Sequence, residues 1–295
     1  SRLQGGCALL NPNMAAAIAQ VEGLSQVTAV IQAEGLSEML AGAVGGPLTV
    51  GTLTPIRNAM TLAAKDSLSS FAGLYRQVFA RGFLGGFCGG SRPVLAAVPQ
   101  FTAIGPVYLF VERESGNTGL SLLAAASAES ICTFSAQRRN AQMQYNAART
   151  SASEMLVVEP LGRLSGPGLS CHVARNFFAM MGIRLVSPYS LKVVNCLPGA
   201  MKYSEETRTM AADLSSSILA ATVSMPFNHI FSWAACTPEL AKMGPLDQAK
   251  ASVGWLFNTY KQQGVSLLGR DLMVRISYTG LLFTMYGAVE RRMRK

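Results

Sequence analysis

Arginines stand inside apolar stretches of this chain, where charged side chains are unusual. Arg175, followed by Asn176, and Arg275 each lie within such a stretch. A guanidinium at membrane depth is costly and normally faces water or a partner. One interpretation is capture of an anionic solute, because a guanidinium binds a carboxylate or phosphate through two parallel hydrogen bonds. The alternative is that Arg175, Arg184 and Arg275 pair inside a sealed bundle, with Glu129, Asp213 or backbone carbonyls as partners.

No other group of residues points to catalysis or to a metal. The two histidines, His172 and His229, lie in different segments, and the six cysteines are far apart without metal-ligand spacing. The glycine-rich run 82–90 lacks the Lys-Ser/Thr pair of a phosphate-binding loop, so it is interpreted as a tight turn. The sequence therefore predicts neither an enzyme nor a metal site.

The composition favours a membrane protein over a soluble one. Charged residues make up 14% of the 295 residues, against roughly 25% in typical globular chains, and mean hydropathy is +0.28. Small residues, including 28 glycines, suit helices that pack closely in a bilayer. The net charge of +9 is scattered between apolar segments and not clustered with stacking aromatics, so no nucleic-acid partner is expected.

Apolar stretches define the expected elements. Six can be marked, at 36–62, 91–112, 118–141, 170–196, 207–235 and 272–290. Each is long enough to cross a bilayer core, which needs about 20 helical residues. The links after the first, third and fifth are long, and those after the first and third are rich in arginine, which indicates three hairpins with these links on one side of the membrane. The predicted fold is an all-α membrane protein with six transmembrane helices in three pseudo-repeated hairpins, with short helices on the basic side.

Residues 1–34 stand apart from these hairpins as an N-terminal extension. The segment 14–31 is rich in alanine and is predicted to form an amphipathic helix, with Asn13 as its N-cap. The remaining chain divides into repeats at 35–115, 116–200 and 201–295.

The three repeats share a sequence frame. A stripe of small residues ending at Gly46 is followed nine residues later by Pro55, and Ser217 precedes Pro226 by the same interval. In the second repeat the run ending at Ala126 is followed by Ser135. Such spacing indicates internal repetition.

A second shared frame carries a family resemblance. Through it the chain, over about 35–295, resembles the mitochondrial carrier family of six-helix solute carriers. The resembling frame runs from Leu74-Tyr75-Arg76 through Arg81-Gly82-Phe83 to Arg92-Pro93, and again from Tyr260 through Gly269-Arg270 to Arg275. The resemblance implies a multi-pass protein of the mitochondrial inner membrane with the basic links in the matrix. It also implies that Arg175, Asn176 and Arg275 are substrate contacts in a central cavity, although the first-repeat counterpart is Ala96.

The chain departs from the family at the matrix gate. The family motif on each odd-numbered helix is proline, one residue, an acid, two residues and a base, and the acids and bases pair into a ring. The corresponding positions here are Pro55, Arg57 and Met60; Ser135, Gln137 and Asn140; and Pro226, Asn228 and Phe231. None of the usual acid–base pairs survives at these positions.

Two functions are compatible with this pattern. Loss of the ring removes the element that a transporter opens and closes, so the preferred prediction is a non-transporting accessory subunit of a large mitochondrial complex, a respiratory or ATP-synthase assembly. The alternative is an active, divergent carrier that exchanges a small anionic metabolite by alternating access. In either case the expected partners include membrane lipids, and no cofactor is expected beyond a bound phospholipid such as cardiolipin.

Overall fold

The computed structural model describes residues 39–40, 42–66, 68–149 and 152–293. The amphipathic helix expected within 1–34 lies outside them. Over the described residues the chain is helical and contains no strand. The helices are α1 (42–52), α2 (Thr54–Ala63), α3 (Phe71–Val78), α4 (Ser91–Ser115), α5 (Thr118–Ala147), α6 (Leu169–Met181), α7 (Ser187–Cys196), α8 (Glu205–Ala235) and α9 (Pro245–Met293).

Within the part of the chain that the structure describes, four helical segments are long and apolar enough to cross a membrane. They are Ser91–Ser115, Thr118–Ala147, Leu169–Cys196 and Pro245–Val289. Helix α8 has 31 residues but is not among them, and its polar side chains Ser216, Ser217 and Asn228 are buried within the bundle. The first apolar stretch is not one helix, because Pro55 stands in the first turn of α2 and the chain leaves helical geometry at Leu53.

The helices enclose a shared interior. Helix α4 packs along α5, α5 along α6, α6 and α7 along α8, α8 along α9, and α9 against α2. Glycines of α1 allow close packing against α4 and α9, because Gly42 and Gly46 face Phe101 while Gly45 faces Val289. The ends of α2, α5 and α8 also contact one another.

Short helices occupy two of the three long links. Helix α3 lies in the first link, and the first part of α9 lies in the third, separated from the rest of α9 by Gly264 with φ 77°. The described part of the second link contains the 3-10 turn Ala152–Glu154, a segment without regular secondary structure at 155–160, and turns at 161–162 and 167–168. The glycine-rich run 82–90 is not one tight turn, because it includes a 3-10 helix at Phe83–Phe87.

The turn between α2 and α3 is organised by one carboxylate. Asp66 accepts hydrogen bonds from the backbone N–H groups of Leu68 (3.0 Å) and Ser69 (2.9 Å), and from the side chains of Ser69 (2.5 Å) and Gln77 (2.6 Å). Burial raises the pKa of Asp66, but the hydrogen bonds to its charged form outweigh burial and lower the pKa to about 2.

We expect this turn to lose stability in acid. A carboxylate with a depressed folded pKa contributes all of its stabilisation above its unfolded pKa of about 4, and loses it as the pH falls towards the folded value. The thermal unfolding midpoint in detergent should therefore fall between about pH 4 and about pH 2 more steeply for the wild type than for Asp66→Asn, which does not titrate. Equal slopes for the two proteins would contradict this role.

Candidate functional site

A cavity of about 110 Å³ lies inside the bundle. A cavity needs roughly 10–15 Å³ to hold one buried water, so this cavity has room for several waters or a small organic molecule. The three predicted substrate contacts, Arg175, Asn176 and Arg275, all line it. Arg57 and Glu129 also line the cavity. The sequence analysis gave Arg57 only as a gate position and Glu129 only as a possible partner of the buried arginines.

Arg175 joins three helices at the floor of the cavity. Its Nη1 donates to Asn228 Oδ1 on α8 at 2.8 Å, and its Nη2 donates to Gln137 Oε1 on α5. Its guanidinium also lies 4.4 Å from the centre of the Phe231 ring, which stacks on His172 at 4.6 Å. Arg175 is 7% exposed, so a positive charge is held here by neutral partners.

Arg275 reaches the same acceptor from α9. Its Nη2 donates to Ser224 Oγ at 3.0 Å, and its Nη1 lies 3.5 Å from Asn228 Oδ1. Because Arg175 Nη1 is 2.8 Å from that oxygen, the two Nη1 atoms are at most 2.8 + 3.5 = 6.3 Å apart. Among the described residues neither arginine forms an ion pair. Two buried like charges in this arrangement would be stabilised by an anion.

The other described polar residues of the cavity include two amides and one carboxylate. Asn176 donates to Ser130 Oγ at 3.0 Å, and Glu129 accepts from Gln100 Nε2 at 2.5 Å. Four arginines, Arg57, Arg175, Arg184 and Arg275, line the cavity together with one carboxylate, that of Glu129. Gln100 lies one helical turn beyond Ala96 on α4, and no motif in the sequence marked it as a cavity residue.

Asp213 does not belong to this group. The sequence analysis left open that Asp213 pairs with the buried arginines of a sealed bundle. It instead accepts a hydrogen bond from Ser187 at 2.7 Å and forms an ion pair with Arg291 at 2.8 Å. These contacts lie towards the end of the bundle where α9 finishes, and Asp213 forms no ion pair with Arg175 or Arg275.

The nine gate positions are only partly brought together. Arg175 contacts Gln137, Asn228 and Phe231, and Arg275 contacts Met60. Asn140 lies 3.4 Å from Asn58, whereas Ser135 accepts from the Gly162 N–H in the second link. Pro55 begins α2 and Pro226 lies inside an uninterrupted α8. Among the described residues, none of these nine positions takes part in an ion pair.

Below the cavity, Arg270 ties α9 to the end of α2. Its guanidinium donates to the carbonyl oxygens of Ala63 (2.9 Å), Asp66 (2.7 Å) and Ser69 (2.7 Å), and to the Asp271 carboxylate (2.7 Å). Asp271 also accepts from Tyr260 at 3.0 Å. Every nitrogen of this buried guanidinium therefore has an acceptor, which is what makes a buried charge tolerable.

Arg138 forms a second tie, between α5 and α8. It pairs with Glu159 at 2.7 Å and donates to the carbonyl oxygens of Pro167 (2.7 Å) and Ala234 (3.4 Å). One helical turn further along α5, Gln142 donates to the Ala235 carbonyl at 2.9 Å. We call the region joined by Arg138, Gln142 and Arg270 the sealed end of the bundle.

The opposite end of the cavity is more exposed. Tyr108, Ile183, Arg184 and Tyr286 are half-buried, whereas the floor residues are buried. The π-helical turn Gly182–Val186 places Ile183 and Arg184 on the cavity, and the Arg184 guanidinium lies 5.3 Å from the Tyr108 ring centre. Such turns are frequent at functional sites. The sequence analysis did not predict it.

The arrangement is therefore a cavity with a basic floor, closed below by the sealed end and more open above. Its chemistry suits the binding of an anion, since guanidinium groups converge and Glu129 supplies the one carboxylate among the described lining residues. No protein-family model matches this chain, and no curated protein matches it.

Proposed function

We propose that this chain is a divergent member of the mitochondrial carrier family, that it spans the inner membrane six times in three hairpins, and that it serves as a non-transporting accessory subunit of a respiratory or ATP-synthase complex. Four segments have the length and apolarity of membrane spans. The fifth and sixth spans would be α8 and the α1–α2 pair, whose polar side chains Asn58, Ser217 and Asn228 face the interior and not lipid.

The sealed end is the observation that carries the accessory role. Alternating access needs two closed states of similar energy, each held by contacts that break in the other. Here Arg138 and Arg270 join the helix ends through buried bonds to backbone carbonyls, which cannot exchange partners as a ring of surface ion pairs can. Opening this end would break these charge-assisted hydrogen bonds together, each worth about 1.5–3 kcal/mol, which disfavours an open state.

Purification in a mild detergent, followed by native electrophoresis and mass spectrometry, tests the accessory role. The chain should migrate in a fixed ratio with a large inner-membrane complex. Deletion of residues 1–34 should release it while leaving the thermal stability of the purified chain unchanged. A chain that runs as a free monomer, or that fractionates with another membrane, would contradict the proposal.

Two native cysteines provide a test of the seal itself. Cys236 is 3% exposed at the α5–α8 contact of the sealed end, whereas Cys196 is exposed near the other end of the bundle. A membrane-permeant maleimide should label Cys196 rapidly and Cys236 only at the rate of unfolding. Labelling of Cys236 that accelerates when an anion is added would indicate an opening cycle instead.

Exchange of a small anionic metabolite remains the second candidate function. The observation in its favour is the convergence of Arg57, Arg175 and Arg275 on one cavity, where Glu129 is the one carboxylate among the described lining residues. Protein reconstituted in liposomes should then show saturable anion uptake that Arg275→Ala abolishes, whereas Arg76→Ala, on the exposed face of α3, should leave uptake intact. A panel of anions that gives no uptake would remove this candidate.

A further inference from the structure

We infer that the second link, described over 152–168, is the surface through which this chain contacts a partner subunit, and that the partner supplies an extended segment with apolar and acidic side chains. The inference rests on the accessory role and deepens it, because it names where the partner binds and by what chemistry. No described residue of this link lines the cavity.

One side of the link is fixed to α5 by side chains that bind its backbone. The Asn146 amide accepts from the Leu156 N–H at 2.7 Å and donates to the Leu156 carbonyl oxygen at 2.8 Å. Ser135 accepts from the Gly162 N–H at 3.1 Å. Between these two contacts α5 runs eleven residues, a length of about 16 Å, and the link covers it with six. At about 2.8 Å per residue, this part of the link is close to fully extended.

The same part of the link has backbone groups without partners. Among the described residues, the N–H groups of Val157 and Val158 reach no acceptor, and no donor reaches their carbonyl oxygens. A nearly extended chain with free N–H and C=O groups is a template for pairing with a second extended segment. Because α5 already holds the link in place, pairing would require little further ordering of this chain.

The link also exposes apolar side chains. Val157 is 91% exposed and Leu164 is 63% exposed, and Met155 and Leu161 are exposed as well. Four large apolar side chains at the surface within ten residues indicate a site that binds protein or membrane.

The backbone favours a protein over the bilayer as the contact. The other two long links also expose apolar residues, such as Phe71 on α3 and Phe257 on the first part of α9. Those residues lie on helices, which satisfy their own backbone groups and can rest on a membrane interface. Immersing the second link in lipid hydrocarbon would leave the Val157 and Val158 N–H groups without acceptors, whereas an extended protein segment would supply them.

Charge indicates the character of that segment. Arg139, Arg149 and Arg163 lie along the link and are at least partly exposed. The described link contains two acids, of which Glu159 is already shared between two arginines and Glu154 lies 3.9 Å from Arg149. Acidic side chains on the partner would complement this basic border, and basic ones would be repelled by it.

Photo-crosslinking tests the contact. The amino acid p-benzoylphenylalanine is placed at Val157 of the full chain in its native membrane, and Val265 on α9, which is 83% exposed, is the matched control position. We expect position 157 to form an adduct with a subunit of the complex that co-migrates with the chain, through a peptide with apolar and acidic side chains. Position 265 should not form that adduct.

Two substitutions separate the side chain from the backbone. Val157→Glu places a negative charge against an acidic, apolar segment and should lower the fraction of the chain in the complex by about 10-fold or more, whereas Val265→Glu should not change it. Val158→Pro removes an N–H that has no partner in the free chain. It should also release the chain from the complex, while the unfolding midpoint of the isolated chain stays unchanged.

The outcomes distinguish this inference from the accessory role. A complex that retains both Val157→Glu and Val158→Pro, or adducts at position 157 with lipid alone, would overturn the inference and leave the accessory role standing. A cross-linked partner peptide with basic side chains would contradict the predicted chemistry of the partner. A wild type that runs outside any large complex but still forms a specific protein adduct at position 157 would refute the accessory role and leave the contact surface.

Discussion

Replacing Arg270 with alanine is expected to lower the free energy of unfolding by about 3–5 kcal/mol, which would make it one of the most damaging single changes in the chain. The side chain donates to three backbone carbonyls between Ala63 and Ser69 and to Asp271, whose side chain is 1% exposed. The variant would leave a buried carboxylate without its cation and three carbonyls without their donor. Thermal and denaturant unfolding in detergent would measure the loss.

Two further variants make the result specific. Arg76→Ala removes an exposed arginine and should change stability by no more than about 0.5 kcal/mol. The double variant Arg270→Met with Asp271→Leu removes both charges and should recover part of the stability, because the orphaned carboxylate is gone. If Arg270→Ala were no more damaging than Arg76→Ala, the sealed end would not depend on this contact.

Adding one methyl group at Gly42 is expected to destabilise the bundle by about 1–3 kcal/mol. A Cβ at this position would lie 2.3 Å from the carbonyl oxygen of Phe101 and 2.7 Å from its carbonyl carbon. These are backbone atoms of α4 and cannot rotate away, so the two helices would have to separate. The unfolding midpoint of Gly42→Ala would measure the effect.

A glycine later in the same helix provides the matched control. A Cβ at Gly51 would meet only Val94 Cγ2 at 3.5 Å, an ordinary contact. Gly51→Ala should therefore stabilise the protein by up to about 1 kcal/mol, through the better helix propensity of alanine. If both variants changed the unfolding midpoint in the same direction, α1 would not approach α4 this closely.

The sequence by itself determined the helical class and most of the helix positions. Long apolar stretches placed α4, α5, α6 with α7, and the second part of α9, because hydrophobic length is a local property that survives any arrangement of the helices. The family resemblance placed Arg175, Asn176 and Arg275 in one cavity, and all three line the cavity of the structure, whereas substrate binding by them stays a prediction. Six spans, threefold repetition and the mitochondrial location stay predictions.

The tertiary structure decided which polar groups meet. Asp213 was a candidate partner for the buried arginines but pairs with Arg291, and Arg57 was a degenerate gate position but is a buried residue of the cavity lining. The bonds from Arg270 to carbonyls near Ser69 join residues about 200 positions apart. Such contacts depend on the rotation and depth of each helix relative to its neighbours. Sequence periodicity shows which face of a helix is buried but not what lies opposite, so only the packed structure could reveal the sealed end and the basic floor above it.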